Sequence, residues 1–310
     1  MLVRVENLVK RYGNVLALDH FNLQVKRGEI VGLLGPNGSG KTTAINCILA
    51  LLKYDKGTIE VFGQPMRPDA YEIKQRIGIV MQNVAVFDEL RVEENVDYFC
   101  GLYVQDAATR KKLVQEAIEF VGLDDFRRTY PRKLSGGLLR RLNIACGIAH
   151  RPELLILDEP TVAVDPQSRN KILEGIKELN RHGTTVIYTS HYMEEVEQLC
   201  TRVVIMDQGK TVAEGTTEEL KGMINHGERI NVEVYFLPPE DLAQIRQLPN
   251  VTRATFADNH LLVHFEGGQH NLLHLLDYLK SREISFNRVF STQPTLNDVF
   301  LEITGRQLRD

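Results

Sequence analysis

The sequence predicts an α/β chain of two domains, and three observations carry that prediction. A short apolar run at residues 30–34 precedes a glycine-rich loop and an eight-residue helical pattern. The continuous apolar runs at residues 154–157 and 185–188 are typical of strands buried on both faces of a parallel sheet. From residue 230 the order becomes strand, helix, two strands, helix, strand, which is typical of a small ferredoxin-like sandwich.

Length and composition further limit the possible domain organisation, location and partners. A chain of 310 residues is long for one domain and favours two. Its net charge of −4 argues against a general grip on nucleic acid. No run approaches the roughly 18 apolar residues that span a bilayer, and the first residues lack a signal-peptide core. We therefore expect a cytoplasmic protein that binds no nucleic acid.

The predicted elements follow in chain order. Strands are predicted at residues 2–8, 21–25, 30–34, 58–62, 77–81, 154–157, 185–188 and 203–206. The pattern is helical between residues 92 and 150, with apolar residues at helical spacing over 110–121. The predicted domains are residues 1–222 and 230–310, joined by a linker at 223–229.

The second domain has its own run of elements. Strands are predicted at residues 230–236, 252–256, 261–265 and 286–290, and helices at 239–248, 270–281 and 295–303. The middle strands form a hairpin through Asp258 and Asn259.

The loop after the first buried strand matches the pattern G-x-x-x-x-G-K-[ST]. It comprises Gly35, Pro36, Asn37, Gly38, Ser39, Gly40, Lys41 and Thr42, followed by Thr43. Glycines let the backbone N–H groups point inward at phosphate oxygens, and the next helix directs its positive end there. Lys41 then reaches the β- and γ-phosphates, and Thr42 offers its hydroxyl to Mg²⁺. The pattern predicts ATP or GTP as the ligand.

Two carboxylates follow another buried strand. Asp158 and Glu159 come directly after the apolar run at residues 154–157. The carboxyl ends of parallel strands meet at one edge of a sheet, so Asp158 is expected beside the phosphate loop. An Asp there can hold Mg²⁺ through water, and a Glu next to the terminal phosphate can polarise the attacking water.

A second anion site is predicted from different backbone. Ser135 has the character of an N-cap for a helix over residues 138–150. Gly136 and Gly137 would let a phosphate approach the exposed N–H groups closely. We expect Arg140 and Arg141, on the same helix, to face solvent or a partner.

With these motifs together, the chain resembles the ATP-binding cassettes of ABC transporters, from about residue 2 to residue 220. Seven motifs occur in the family's order. Tyr12 matches the aromatic residue that stacks on adenine, and residues 35–43 match the Walker A loop. Gln82 matches the glutamine that senses Mg²⁺ and the transmembrane partner, and residues 134–137 match the signature motif. Asp158 matches the Walker B aspartate, and Glu159 matches the catalytic glutamate. Asp165 matches the D-loop aspartate, and His191 matches the switch histidine.

The resemblance implies a fold and a mode of action. The fold is a P-loop NTPase cassette, with a mostly parallel core sheet, an antiparallel β subdomain and a helical subdomain at about residues 85–150. Two cassettes would sandwich two ATP molecules with Mg²⁺, so that the signature of one chain completes the site of the other. A homodimer is expected, docked through residues 82–91 on an integral membrane permease at the inner face of the cell membrane.

Two departures from the family pattern stand out. Leu138 replaces the glutamine that usually ends the signature, so a side-chain hydrogen bond to nucleotide is lost. The D-loop at residues 162–165 reads Val-Ala-Val-Asp where Ser-Ala-Leu-Asp is more usual. We nevertheless expect ATPase activity.

Three further segments indicate the direction of transport. Residues 191–195, 294–301 and 304–306 resemble drug-export cassettes of the daunorubicin-resistance type, which implies export. Open alternatives are a cassette for lipid, polysaccharide or ion export, a non-transport ATPase acting on ribosomes or DNA, and a nucleotide-gated module without turnover. The second domain is expected to be either a stabilising cap or a regulator, outside the nucleotide chemistry.

The four cysteines complete the expectations. Cys47, Cys100, Cys146 and Cys200 lie far apart and form no C-x-x-C pair. Metal and disulfide sites are therefore weakly indicated, and buried free thiols are the stronger prediction.

Overall fold

A computed structural model describes residues 1–162, 164–223, 228–268, 270–292 and 295–305. The chain divides between Thr217 and Glu218 into two compact units. The predicted linker at 223–229 is a prediction still, since residues 224–227 lie outside the described part. The helix Thr217–Met223 occupies the end of the predicted first domain.

The first unit alternates strands and helices as the apolar runs predict. Its elements are β1 (Val3–Tyr12), β2 (Val15–Val25), β3 (Ile30–Leu34), α1 (Lys41–Ile48), β4 (Lys56–Val61), β5 (Gln64–Pro65), α2 (Tyr71–Lys74), β6 (Ile77–Val80), α3 (Val92–Gly101), α4 (Ala107–Phe120), α5 (Gly136–Ile148), β7 (Leu154–Asp158), α6 (Pro166–Arg181), β8 (Thr185–Thr189), α7 (Met193–Leu199), β9 (Arg202–Asp207) and β10 (Lys210–Gly215). Two 3₁₀ turns, Asp124–Phe126 and Pro131–Lys133, separate α4 from α5.

The core sheet of this unit has the order β10-β9-β3-β8-β7-β6. Strands β9, β3, β8, β7 and β6 are parallel to their neighbours, and only β10 runs antiparallel. All residues of β3, β7 and β8 are buried, as expected for parallel strands covered on both faces. The carboxyl ends of β3 and β7 thus reach the same edge, where functional groups collect.

A second sheet, β2-β1-β4-β5, is antiparallel. Strands β1 and β2 are longer than predicted, because they pair from Val3↔Val25 to Tyr12↔Val15 through several bulges. These bulges interrupt the alternation that a strand prediction reads. One apolar cluster includes Val5 and Phe21 of this sheet, Ile45 of α1 and Ile156 of the core sheet, and so fixes the phosphate-loop helix between the two sheets. The predicted antiparallel β subdomain and mostly parallel core are confirmed.

After α8 (Thr217–Met223), which was not predicted as part of the second domain, the second unit has the predicted order of elements. They are β11 (Arg229–Val234), α9 (Pro239–Ile245), β12 (Val251–Ala257), β13 (His260–Phe265), α10 (Asn271–Ser281), β14 (Phe286–Thr292) and α11 (Leu296–Thr304). The strand order β12-β13-β11-β14, antiparallel throughout, is that of a ferredoxin-like sandwich. Alternate residues of β11, such as Val232, pack with Leu275 and Leu279 of α10 in a separate core. The predicted hairpin is confirmed, and Asp258 and Asn259 both have positive φ.

The cysteine thiols are shielded rather than paired. Cys47, Cys100 and Cys146 are buried, and Cys200 is partly exposed as a residue. Burial raises the pKa of the Cys47 and Cys100 thiols to about 11. It also raises the thiol pKa of Cys146 and Cys200.

Among the described residues, no helix has both the length and the apolar character needed to cross a membrane.

Candidate active site

The phosphate loop connects β3 to α1. Gly40, the N-cap of α1, has φ +105° in the left-handed region. A Cβ atom there would lie 2.7 Å from the carbonyl oxygen of Ala17, so both its conformation and its surroundings require glycine. The first N–H groups of α1 therefore stay available for an anion at the end of the loop.

Lys41 lies inside the loop with only 6% of its surface exposed. Its Nζ donates hydrogen bonds to the carbonyl oxygens of Gly35, at 2.8 Å, and Pro36, at 3.2 Å. Burial lowers the pKa of this ammonium group, while Glu159 and Asp158 act in the opposite direction. A phosphate would favour its charged form.

One buried polar group of the loop lacks a hydrogen-bond partner in the described part of the chain. The Ser39 hydroxyl is buried and has no hydrogen-bond partner among the described residues. Buried polar atoms are normally paired, and a phosphate oxygen can accept from a hydroxyl. The residues of the loop therefore fit a phosphate group.

Asp158, the last residue of β7, lies beside the start of α1 as predicted. Its Oδ2 accepts a hydrogen bond from Thr42 Oγ1 at 3.0 Å, and its Oδ1 accepts one from Thr189 Oγ1 at 2.6 Å. A hydroxyl and a carboxylate this close are the oxygen ligands that P-loop proteins present to Mg²⁺. The donor set fits that ion.

Glu159 has backbone φ +48°, which is unusual for a residue with a side chain and stores strain. Its amide N–H donates to the carbonyl oxygen of Thr189 at 3.2 Å and to Thr189 Oγ1 at 3.0 Å. Its Oε2 accepts a hydrogen bond from Gln82 Nε2 at 3.0 Å, and its Oε1 lies 3.6 Å from His191 Nδ1. The structure thus brings the Gln82, Glu159 and His191 side chains together.

The expectation that Arg140 faces solvent or a partner is wrong. Arg140 is only 5% exposed and donates to the carbonyl oxygens of Met81 at 3.1 Å, Gln82 at 2.7 Å and Glu159 at 3.2 Å. A guanidinium group has enough donors to bind several carbonyls in one plane. Arg140 therefore links the signature helix α5 to the backbone of both Gln82 and Glu159. Arg141 donates instead to the carbonyl oxygens of Val121 and Gly122.

The signature residues lie beside the D-loop aspartate of the same chain. Ser135 caps α5, since its Oγ accepts a hydrogen bond from the Leu138 N–H at 3.3 Å, as predicted. Asp165 caps α6 by accepting from the Ser168 N–H at 2.9 Å. A Cβ atom on Gly137 would lie 3.2 Å from Asp165 Oδ2. Within the predicted D-loop, residue 163 lies outside the described part of the chain.

Exposure separates these positions from the two carboxylates that follow β7. Ser135, Gly136 and Asp165 are exposed, so their polar groups are open to another molecule. The carboxylates Asp158 and Glu159 are buried.

Tyr12 ends β1 and is 49% exposed. Its partner across the turn is Val15, which is 66% exposed. Lys10 Nζ lies 5.1 Å from the centre of the Tyr12 ring, and the stacking of a base on that ring stays a prediction.

Comparison with known proteins decides the family. The model of the ABC transporter family matches residues 18–162. The linearmycin resistance ATP-binding protein LnrL of Bacillus subtilis is 40% identical over the full length of both chains. This chain belongs to the ABC transporter family. It is an ATP-binding cassette of that family and an ATPase.

Further comparisons with this ABC cassette also include its carboxyl-terminal unit. The family described as ATP-binding protein DrrA1-3-like, C-terminal domain, matches residues 215–304. The daunorubicin resistance ATP-binding protein DrrA3 of Streptomyces coeruleorubidus is 36% identical over 99% of this chain and 97% of its own.

A solved structure is similar to the cassette part. The ATP-binding cassette MJ0796, as a dimer in a post-hydrolysis state bound to ADP and phosphate, is 29% identical with a TM-score of 0.64. The match covers 69% of this chain and 98% of MJ0796. The predicted cassette fold is confirmed.

Proposed function

We propose that this chain powers export of a drug-like or other hydrophobic compound, by hydrolysing ATP in a homodimer bound to a separate integral membrane permease. The observation that carries the ATPase role is the meeting of Lys41, Thr42, Asp158 and Glu159 at one edge of the core sheet. Relatives named for linearmycin and daunorubicin resistance support export. In this proposal the cassette lies in the cytoplasm, at the inner face of the membrane.

The nucleotide site assigns a role to each side chain. Thr42 and Asp158 would hold Mg²⁺, with Gln82 as a further proposed ligand, and the ion would supply positive charge that offsets the phosphate charge. Lys41 turns from the carbonyl oxygens of Gly35 and Pro36 to the phosphate oxygens. Its buried ammonium group stabilises the negative charge that develops during transfer.

Water activation falls to the cluster around Glu159. The Glu159 carboxylate polarises the attacking water. Gln82 and His191 contact the two oxygens of that carboxylate and so fix its direction. Arg140 and Thr189 hold its backbone on either side. The fixed geometry lowers the cost of orienting the reacting groups.

Cargo recognition is assigned to the permease. A Nod factor export ATP-binding protein of Ralstonia nicotianae is 34% identical over the full length of this chain. The relatives of this chain are therefore named for several different compounds. The ATP chemistry is shared across substrates. The segment from Gln82 to Arg91 is the proposed dock for the permease. It leads from the Glu159 cluster to Phe87, whose ring stacks on Phe99 and meets Tyr98 edge to face.

The test of export is transport by inside-out membrane vesicles that contain this chain and a candidate permease co-purified with it. ATP should drive accumulation of a daunorubicin-type compound, and the compound should stimulate ATP hydrolysis. Vesicles with the permease and the Glu159→Gln chain are the control and should not accumulate it. Equal accumulation with both chains would overturn the export role, whereas hydrolysis without accumulation of any hydrophobic compound would favour the lipid, polysaccharide or ion alternatives.

The two-chain site gives a separate prediction. Ser135 and Gly136 are exposed at the start of α5, where the N–H groups can bind the terminal phosphate held by a second chain. In a Glu159→Gln background, ATP should convert the chain to a dimer, and Ser135→Arg should abolish that dimer because the long side chain fills the phosphate position. Analytical ultracentrifugation with and without ATP measures it.

The matched control is Thr58→Arg, which places the same long side chain at an exposed hydroxyl-bearing residue of β4 in the first unit. It should leave the ATP-dependent dimer intact. Ser135→Ala separates the steric effect from the lost N-cap, which is worth about 1 kcal/mol. A dimer that survives Ser135→Arg would show that the signature does not face the second nucleotide.

The carboxyl-terminal unit contains none of the nucleotide-site residues. We propose that it acts on assembly or on coupling to the permease, either as a stabilising cap or as a regulator.

A further inference from the structure

A buried carboxylate lies behind the proposed switch residue. Glu195 of α7 is only 2% exposed. Its Oε2 accepts hydrogen bonds from three hydroxyl groups, which belong to Thr161 at 2.8 Å, Tyr188 at 2.7 Å and Ser190 at 2.9 Å. Its Oε1 forms an ion pair with Arg169, with Nε at 3.2 Å, although the two atoms do not meet in hydrogen-bond geometry. A buried charge is costly unless it is paired and hydrogen-bonded, so this arrangement depends on all four partners.

The partners of Glu195 come from the segments that surround the water-activating cluster. Thr161 lies two residues after Glu159, and Ser190 directly precedes His191. Arg169 lies in the first turn of α6. One carboxylate therefore joins the turn after the catalytic glutamate, the start of the histidine loop and the D-loop helix.

A second line of contacts connects the same helix to the histidine ring. The Arg169 guanidinium lies 4.6 Å from the centre of the Tyr192 ring, which is within the range of a cation–π contact. The Tyr192 ring lies 4.2 Å from the His191 ring. His191 Nδ1 in turn lies 3.6 Å from Glu159 Oε1. Arg169 thus reaches His191 both through Glu195 and through Tyr192.

We propose that Glu195 and Arg169 are positioning residues that fix His191 against Glu159 and tie that position to α6. The inference rests on the proposed function, because the exposed N-cap of α6, Asp165, would face the second chain in the proposed dimer. Neither side chain contacts the phosphate loop in the interactions described above. A partner that orders the start of α6 would move Arg169, and the two lines of contact would carry that movement to the His191 ring.

The residues flanking Glu195 supply a matched experiment. Glu195→Gln keeps the size of the side chain but removes the charge that pairs with Arg169. The control is Glu194→Gln on the same helix, since Glu194 is exposed. We expect Glu195→Gln to lower kcat for ATP by about tenfold, as for other residues that orient a catalytic group, while the ATP Kd changes by less than about twofold. Glu194→Gln should leave both constants unchanged.

A second readout does not depend on turnover. NMR of histidine-labelled full-length chain reports the ring of His191, assigned by its loss in His191→Gln. The His191 resonance should shift in Glu195→Gln and in Arg169→Lys, which keeps the positive charge but loses the planar contact with Tyr192. It should not move in Glu194→Gln. The Glu195→Gln, Arg169→Lys double variant should show less than the sum of the single effects on kcat, because the two residues act as one unit.

Defined results would overturn the inference. If Glu195→Gln lowers the melting temperature but leaves kcat and the His191 resonance as in wild type, the pair only packs the protein. A rise in ATP Kd that matches the fall in kcat would show general damage to the nucleotide site and would also contradict it. If the wild-type chain itself hydrolyses no ATP, the proposed function fails, and the NMR comparison still decides the positioning role.

Discussion

Replacing Glu159 with Gln is expected to lower kcat for ATP hydrolysis by at least about 100-fold, the lower end of the range for removal of a general base. The amide has nearly the same shape and can still accept from Gln82, but it cannot polarise water as the carboxylate does. ATP binding should persist, because Lys41, Thr42 and the loop backbone are unchanged. Phosphate release under saturating ATP and equilibrium binding of ATP measure the two effects.

The control for this change is Glu72→Gln on α2, an exposed glutamate that should behave as wild type. Hydrolysis by Glu159→Gln at the wild-type rate would mean that the water-activating group has been assigned to the wrong residue. Loss of ATP binding in a folded Glu159→Gln chain would contradict the separation of binding from turnover.

Replacing Lys41 with Ala should weaken both binding and turnover. Lys41 supplies the buried positive charge of the phosphate loop, and its removal also leaves the Gly35 and Pro36 carbonyl oxygens without their donor. We expect the ATP Kd to rise by at least about tenfold and kcat to fall by about 100-fold or more, the cost of removing one donor that stabilises transition-state charge. Isothermal titration with ATP and steady-state hydrolysis measure these changes.

Lys53→Ala, at an exposed lysine, is the matched control and should change neither constant. The circular dichroism spectrum of Lys41→Ala should match that of wild type, because the site lies at the end of a helix that packs into the core through other residues. A Lys41→Ala chain that binds ATP normally would remove Lys41 from the phosphate site.

Local patterns predict much of this molecule because several of its elements are set by short-range chemistry. The phosphate loop combines a buried strand, glycines and a helix start, and Ser135 has an N-cap side chain followed by glycines. Both occur where predicted. The hairpin at Asp258 and Asn259 follows from residues that tolerate positive φ.

The missed features depend on packing between distant segments. Helix α5 buries residues around much of its circumference, including Arg140, Leu142, Asn143 and Ile144. A helical period cannot separate a buried arginine from an exposed one on such a helix. The backbone of Glu159, with its positive φ, is hydrogen-bonded to Thr189 and Arg140, which are distant in sequence, so no local pattern indicates it.

Glu195 could have been found from the sequence. It lies four residues before Leu199 and next to Val196, on the side of α7 that carries the buried apolar residues. A charged residue on an apolar helical face signals a paired, buried charge. The sequence around Arg169 carries no comparable signal. The contacts of Arg169 come from Glu195 of α7 and from Tyr192 in the loop before α7.

The shielded thiols have a practical consequence for measuring this chain. Thiolate is the form that reacts with maleimides and spin labels, and burial raises the pKa of all four native cysteine thiols. A cysteine introduced at the exposed Asp165 should therefore be modified much faster than the native ones. Probes attached there could report the distance between two chains by electron paramagnetic resonance, without first removing any cysteine from the protein.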